Sequence, residues 1–134
     1  MKKIKVVTEP LLIKSIHFDK SGPLYQVAMI VPSDAIITIK AFRTLIQDTQ
    51  SISKITGGLN LCSELWSDKY PKGWLYFEAQ SKEKPGCVNK DMDYAEFKTF
   101  KAGNMARLSL LLKLNVIKNV VNIVSQIKAM QLVD

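Results

Sequence analysis

The stretch MARLSLLLKLN, residues 105–115, decides how this chain is read. Leu108, Leu110, Leu112 and Leu114 take alternate positions, with Arg107, Ser109, Leu111 and Lys113 between them. Successive side chains of a strand point to opposite faces, so this period of two puts the first four leucines on a core face and leaves Arg107 and Lys113 on the outer one. A half-buried strand of this clarity predicts a mainly β fold.

Working outward, LLIKSIHF (11–18) and LYQVAMIV (24–31) are apolar runs separated by Asp19-Lys20-Ser21-Gly22-Pro23, which predicts a β-hairpin. In the second run Tyr25, Val27, Met29 and Val31 share one face. Pro32-Ser33-Asp34 then reads as a helix start, with Ser33 or Asp34 as N-cap. Ala35, Ile39, Phe42, Ile46 and Thr49 recur at helical spacing, and Gly57-Gly58 reads as the stop. The expected helix covers about 34–51, or roughly 27 Å. Its start is β-branched, so packing must hold it.

Residues 59–71 read as a short helix or loop and 73–81 as a strand. Residues 82–103 form a long connection with a helical turn around Tyr94, Phe97 and Phe100. The segment 120–131 fits two periods. Val120, Ile123, Ile127 and Met130 suit a helix, and Val121, Ile123, Ile127 and Ala129 suit a strand. The density of Val and Ile, with Lys118-Asn119 as a turn, favours the strand. Residues 1–9 read as a flexible N-terminal arm. The order is two strands, one helix, then three strands. A five-stranded antiparallel sheet with one helix can close into an OB-fold-like barrel, although the helix follows the second strand rather than the third.

A chain of 134 residues predicts one domain, 1–134. Its 47% hydrophobic and 23% charged composition argues against disorder. The net charge of +7 suits phosphates or anionic lipid as partners. Arg43 and Arg107 are the only arginines, and a lysine-dominated charge favours tracking a phosphate backbone over reading bases. Charges interrupt the apolar run behind the N-terminal lysines, so no signal-peptide core forms, and no apolar run approaches the roughly 20 residues of a membrane span. Cys62 and Cys87 read as free thiols of a reducing cytoplasm.

In KGWLYFEAQSKEKPGCVNKD (72–91) the strand alternation sends Leu75, Phe77, Ala79 and Ser81 to the core. Trp74, Tyr76, Glu78 and Gln80 face outward. Exposed rings suit base stacking; the alternative is that the same rings pack under a loop or at a subunit interface. Lys82, Lys84 and Lys90 frame Pro85-Gly86 and, with Lys72 ahead of the strand, could line a phosphate track, which Arg107 and Lys113 would extend. Asp91, Asp93 and Glu96 are the one acid cluster; a metal-dependent nuclease would use them, but no second, distant carboxylate set accompanies them. His17 stands alone, two cysteines are too few for a zinc set, and Gly57-Gly58 lacks the Lys-Ser/Thr of a phosphate loop. No catalytic residue, metal ligand or cofactor is assigned.

Three pieces, MIVPSDAIITIKAF (29–42), KGWLYFEAQSKEKPGCV (72–88) and EFKTFKAGNMARLSLLLKLN (96–115), occur in an order that resembles the helix-destabilising single-stranded DNA-binding proteins of tailed bacteriophages. NIVSQIKAMQ (122–131) is similar to that family's final strand. The resemblance implies an OB-fold with its helix after the second strand. It implies non-enzymatic, sequence-tolerant binding and protection of single-stranded DNA during phage replication, recombination or repair, in the cytoplasm of an infected bacterial host. Trp74, Tyr76, Lys82, Lys84 and Arg107 would line the groove. Many such proteins end in an acidic tail that recruits phage replication proteins, whereas this chain ends AMQLVD (129–134), so self-association through the apolar C-terminal segment is the alternative implied. Stacking and phosphate contacts alone do not separate DNA from RNA. Two other readings compete: an interaction module whose aromatic face is an oligomer interface, and the nuclease.

Overall fold

The structure is a computed structural model that describes residues 2–47, 54–66 and 69–134. In chain order its elements are β1 (Lys2–Val7), β2 (Leu11–Asp19), β3 (Leu24–Val31), α1 (Ile36–Ile46), β4 (Lys54–Thr56), β5 (Asn60–Leu61), β6 (Leu75–Ser81), β7 (Gly86–Val88), β8 (Met105–Ile117) and β9 (Val120–Leu132). Single 3₁₀ turns occupy Cys62–Glu64 and Phe97–Thr99.

Strands β2, β3, β6, β9 and β8 pair in that order, and β8 returns to β2, so the five close into a ring. An odd number of strands cannot alternate direction all the way round. One contact must be parallel, and it is β6 against β9, through Gln80 opposite Gln126. The OB-like barrel expected from the strand order is therefore present, but it is not wholly antiparallel. The helix follows its second strand, as the sequence order required.

Inside the ring, Leu108, Leu110, Leu112 and Leu114 of β8 are buried beside Phe77 and Ala79 of β6 and Val27 and Met29 of β3. The segment 120–131 is a strand. Val121, Ile123, Ser125 and Ile127 are buried in strict alternation, and then Met130 is buried out of phase. The ladder shows why: Leu110 pairs with Ile127 and Ser109 with Ala129, so Lys128 is an extra residue in a β-bulge. That one-residue slip is what lent the stretch its helical period. Val121, Ile123, Ile127 and Met130 of β9 thus belong to this chain's own core, while Val120 stays exposed.

Residues 1–9, expected as an arm, contain a strand instead. β1 pairs along β8 from Lys2 opposite Leu114 to Val7 opposite Ser109. Its residues alternate between half-buried Ile4 and Val6, packed on the core, and exposed Lys3 and Lys5. Two apolar residues, Ile4 and Val6, were thus hidden behind a lysine-rich composition that reads as solvated.

The helix is shorter than expected at its start, and residues 48–53, with Thr49, lie outside the described residues. Ala35, not Ser33 or Asp34, occupies the N-cap position and offers no side-chain cap. The Glu9 carboxylate, from the β1–β2 connection, takes the free N–H groups of Ile37 and Thr38 instead. Thr38, Ile39, Ala41, Phe42 and Leu45 form the buried face. Gly57-Gly58 is not the helix stop, because α1 ends at Ile46. Gly57 adopts a left-handed φ of 75° beyond β4, against β9.

Candidate nucleic-acid interface

β6 presents two chemically opposite faces. Phe77, Ala79 and Ser81 are buried, while Glu78 and Gln80 are exposed and Trp74 and Tyr76 are half-buried on the outer side. Register sets the neighbours of that outer row. Tyr76 lies opposite Ile30, Glu78 opposite Ala28 and Gln80 opposite Gln26 on β3, which in turn place Leu12 and His17 of β2 alongside. The outer faces of β2, β3 and β6 thus form one shelf.

At the Tyr76 end four rings gather. Trp66 packs edge-on to Tyr76 with centroids 4.9 Å apart and edge-on to Tyr70 at 6.2 Å. Tyr70 stacks on Trp74 at 6.1 Å with planes 22° apart. A second β-bulge, between Ile13 and Ser15, takes Lys14 out of the ladder. Its ammonium lies 5.0 Å from the Trp66 centroid, a cation–π contact. Burial, and then the Glu78 and Glu64 carboxylates, push the Tyr76 hydroxyl pKa upward, so the phenol stays a hydrogen-bond donor at neutral pH. The segment carrying the rings is tied to β6 by the Cys62 N–H donating to the Trp74 carbonyl.

The middle of the shelf is polar. A cavity of about 350 Å³ is lined by His17, Gln26, Glu78, Gln80 and Asn122, with the buried Ser125 at its edge. The Ser125 hydroxyl has no hydrogen-bond partner among the described residues. His17 is exposed here.

Beyond β6 the chain turns at Lys82–Pro85 and enters β7, which pairs with β9. There Lys84 and Arg107 line the same groove, together with Tyr94 and Met92. Lys84 donates to the Tyr94 hydroxyl at 3.0 Å, which raises the ammonium's pKa. Of the remaining lysines, Lys72 is exposed just before Trp74, Lys82 just after β6, and Lys90 in the 89–93 turn. Lys113 is half-buried on β8, opposite Lys3. It lies six residues, about 20 Å, from Arg107 and does not share its groove.

Trp66 and Tyr70 are the residues that sequence reading missed. Their signal was present: Trp66, Tyr70 and Trp74 recur every four residues in a segment otherwise rich in Ser, Asp, Lys, Pro and Gly. Large rings on a loop with no apolar period to explain them point to a surface role. Asp91 and Asp93 belong to a turn centred on Asn89, and among the described residues no three His, Cys, Asp or Glu side chains converge to hold a metal ion. Cys62 and Cys87 are buried free thiols, and burial pushes both pKa values up. Among the described residues no helix is long and apolar enough to cross a membrane.

This architecture has counterparts among solved structures. The fold is that of the phage single-stranded DNA-binding proteins. The C-terminally truncated single-stranded DNA-binding protein of bacteriophage Enc34 superposes with a TM-score of 0.71 at 14% identity, over 97% of this chain and 84% of that one. The Enc34 protein in complex with single-stranded DNA gives 0.69 at 15% identity, over 97% and 85%. The gp2.5 single-stranded DNA-binding protein of bacteriophage T7 gives 0.60 at 11% identity, over 98% and 86%. No protein-family model and no curated protein matches the sequence. The resemblance seen in three short motifs is thus a resemblance of fold, carried at an identity where sequence comparison alone falls silent.

Proposed function

We propose that this chain binds and protects single-stranded DNA without catalysing a reaction, in phage replication, recombination or repair inside an infected bacterial cell. The observation that carries the reading is the cluster of Trp66, Tyr70, Trp74 and Tyr76, with Lys14, at one end of the shelf. Half-buried rings held by one another expose π-faces at little entropic cost, and each base stacked on such a ring contributes about 1–3 kcal/mol. Lys14, Lys72 and Lys82 would meet the phosphates along the shelf. Lys113, beside Lys3, adds to the long-range positive field that steers a polyanion. The fold relationship supports the reading, because one neighbour of the same fold is a complex with single-stranded DNA. We extend it to self-association of the chain, which sedimentation would measure.

Titration with oligo-dT while following tryptophan fluorescence tests it. Quenching is expected, because Trp66 and Trp74 both lie in the cluster. With about five phosphates neutralised, log K falls with log salt at a slope near −3.5. Indifferent fluorescence and a slope near zero would favour the interaction module, whose aromatic face meets protein. Matched RNA oligonucleotides in the same titration measure sugar preference.

A further inference from the structure

The groove around Tyr94 lies at the far end of β6 from the ring cluster, yet on a connected surface. β6 and β7 occupy the same edge of β9, both parallel to it: Gln80 lies opposite Gln126, and Gly86 opposite Ala129. The outward side of β9 therefore runs from Asn122 and Val124, beside Gln80, to Ala129 and Gln131, beside β7. Val124 and Ala129 are about 15 Å apart along the strand.

The groove at that end encloses about 610 Å³. Its walls are largely apolar, with Pro85, Val88, Met92 and Tyr94, and its charged members are Lys84 and Arg107. Tyr94 and Met92 are each 67% exposed, unusual for side chains of that size. The Lys84 ammonium is 3.0 Å from the Tyr94 hydroxyl and 5.5 Å from the ring centroid. Those two distances put it out beyond the oxygen rather than over the ring, so it anchors the ring and leaves the faces open. Met92 is held over the groove at a left-handed φ of 66°, in a turn closed by Asn89, and Gln131 donates to its sulfur at 3.3 Å. A non-glycine residue in that conformation carries about 1–2 kcal/mol of strain. Strain of this kind is retained where the surroundings over-determine it, often at ligand clamps.

A flat apolar ring flanked by negative charge matches such a groove. We propose that it is a second station for the same single strand, in which a base lies on Tyr94 and Met92 while Lys84 and Arg107 hold the flanking phosphates. This inference rests on the proposed DNA binding. It adds a direction: the strand runs along β6 and β9 from the ring cluster to Tyr94, and a short oligonucleotide fills only the first station.

The test is the double variant Tyr94→Ala/Arg107→Ala titrated with oligo-dT of about 4 and about 24 nucleotides, one at the lower end of the site size of an OB-fold and one beyond its upper end. The long oligonucleotide should lose about tenfold in affinity and the short one should be unchanged. Arg107→Ala alone should make the salt slope of the long oligonucleotide shallower by about 0.7. Tyr94→Phe, which keeps the ring, should keep most of the long-oligonucleotide affinity. Equal binding of both lengths by double variant and wild type would overturn the second station while leaving the first intact. Wild-type protein that binds neither length would overturn the DNA reading itself. An acidic peptide bound by wild type but not by the double variant, with long-oligonucleotide affinity unchanged, would assign the groove to a protein partner instead.

Discussion

Glu9 accepts two hydrogen bonds from Thr38, one from its hydroxyl at 2.7 Å and one from its backbone N–H at 3.0 Å. A third comes from the Ile37 N–H at 2.6 Å. The helix thus has its cap delivered from the β1–β2 connection, in place of the side-chain cap that Ala35 lacks. A carboxylate at this end also opposes the positive pole of the helix. Glu9→Ala should therefore destabilise the fold by about 1–2 kcal/mol, read as a lower urea midpoint at unchanged m-value. An unmoved midpoint would mean that solvent caps the helix equally well.

The same contact sets a pH dependence. Burial alone would raise the Glu9 pKa, but the hydrogen bonds from the Thr38 side chain and from the Ile37 and Thr38 backbone together outweigh it and hold the carboxyl below the ordinary glutamate range. A depressed folded-state pKa contributes stability that is complete above the unfolded-state value and is lost as pH falls through the folded one. Wild-type stability should decline as pH drops below the ordinary glutamate range. Glu9→Gln should flatten that part of the curve, and two parallel curves would remove Glu9 as its source.

How much of this was legible follows from the range of each interaction. The alternation of Leu108 to Leu114 was readable because a strand with one wet face writes its burial into a local period of two. Phe77 and Ala79 were readable for the same reason. The Glu9 cap was not, since its partners lie 28 and 29 residues away and only the closed barrel brings them together. β4 and β7 have three residues each, too few for any period, and exist through pairing with β9. The site divided likewise: the face of Trp74 and Tyr76 came from alternation, whereas their meeting with Trp66, Tyr70 and Lys14 needed a loop and a bulge.

Trp66 holds that cluster together, because it touches Tyr70, Tyr76 and Lys14 at once. Trp66→Ala should weaken oligo-dT binding by more than the 1–3 kcal/mol of one lost stack, since Tyr70 and Tyr76 lose their support. Lys14→Ala should cost less, about 0.5–1 kcal/mol for a solvent-accessible cation–π contact. Isothermal titration of both variants checks the order. A Lys14 effect equal to that of Trp66 would put the phosphate contact above the stacking.

Gly57 sits where β4 turns away beside β9, and a Cβ there would collide with the Ile123 carbonyl oxygen. The neighbour is backbone inside a paired strand and has little room to yield. Gly57→Ala combines that collision with a left-handed φ and should destabilise by about 2–3 kcal/mol, measured by urea unfolding. Gly22→Ala, with open space around its Cβ, is the control that should move little.

Asn89 organises the turn that presents Met92 and Tyr94. Its side-chain oxygen accepts from the Asp91 N–H at 2.9 Å and the Asp93 N–H at 3.1 Å. Its own N–H donates to the Asp93 carbonyl at 2.8 Å. The turn lies outside the barrel core, so its loss should not unfold the ring. Asn89→Ala removes two of these bonds and should lower stability by about 1–2 kcal/mol. It should also free Met92 from its strained φ and loosen Tyr94 over the groove. If that groove holds nucleotides, Asn89→Ala weakens long oligo-dT and spares short oligo-dT, though no Asn89 atom need touch DNA. A stability loss with both affinities unchanged would leave the turn a structural device and separate it from the strand's path.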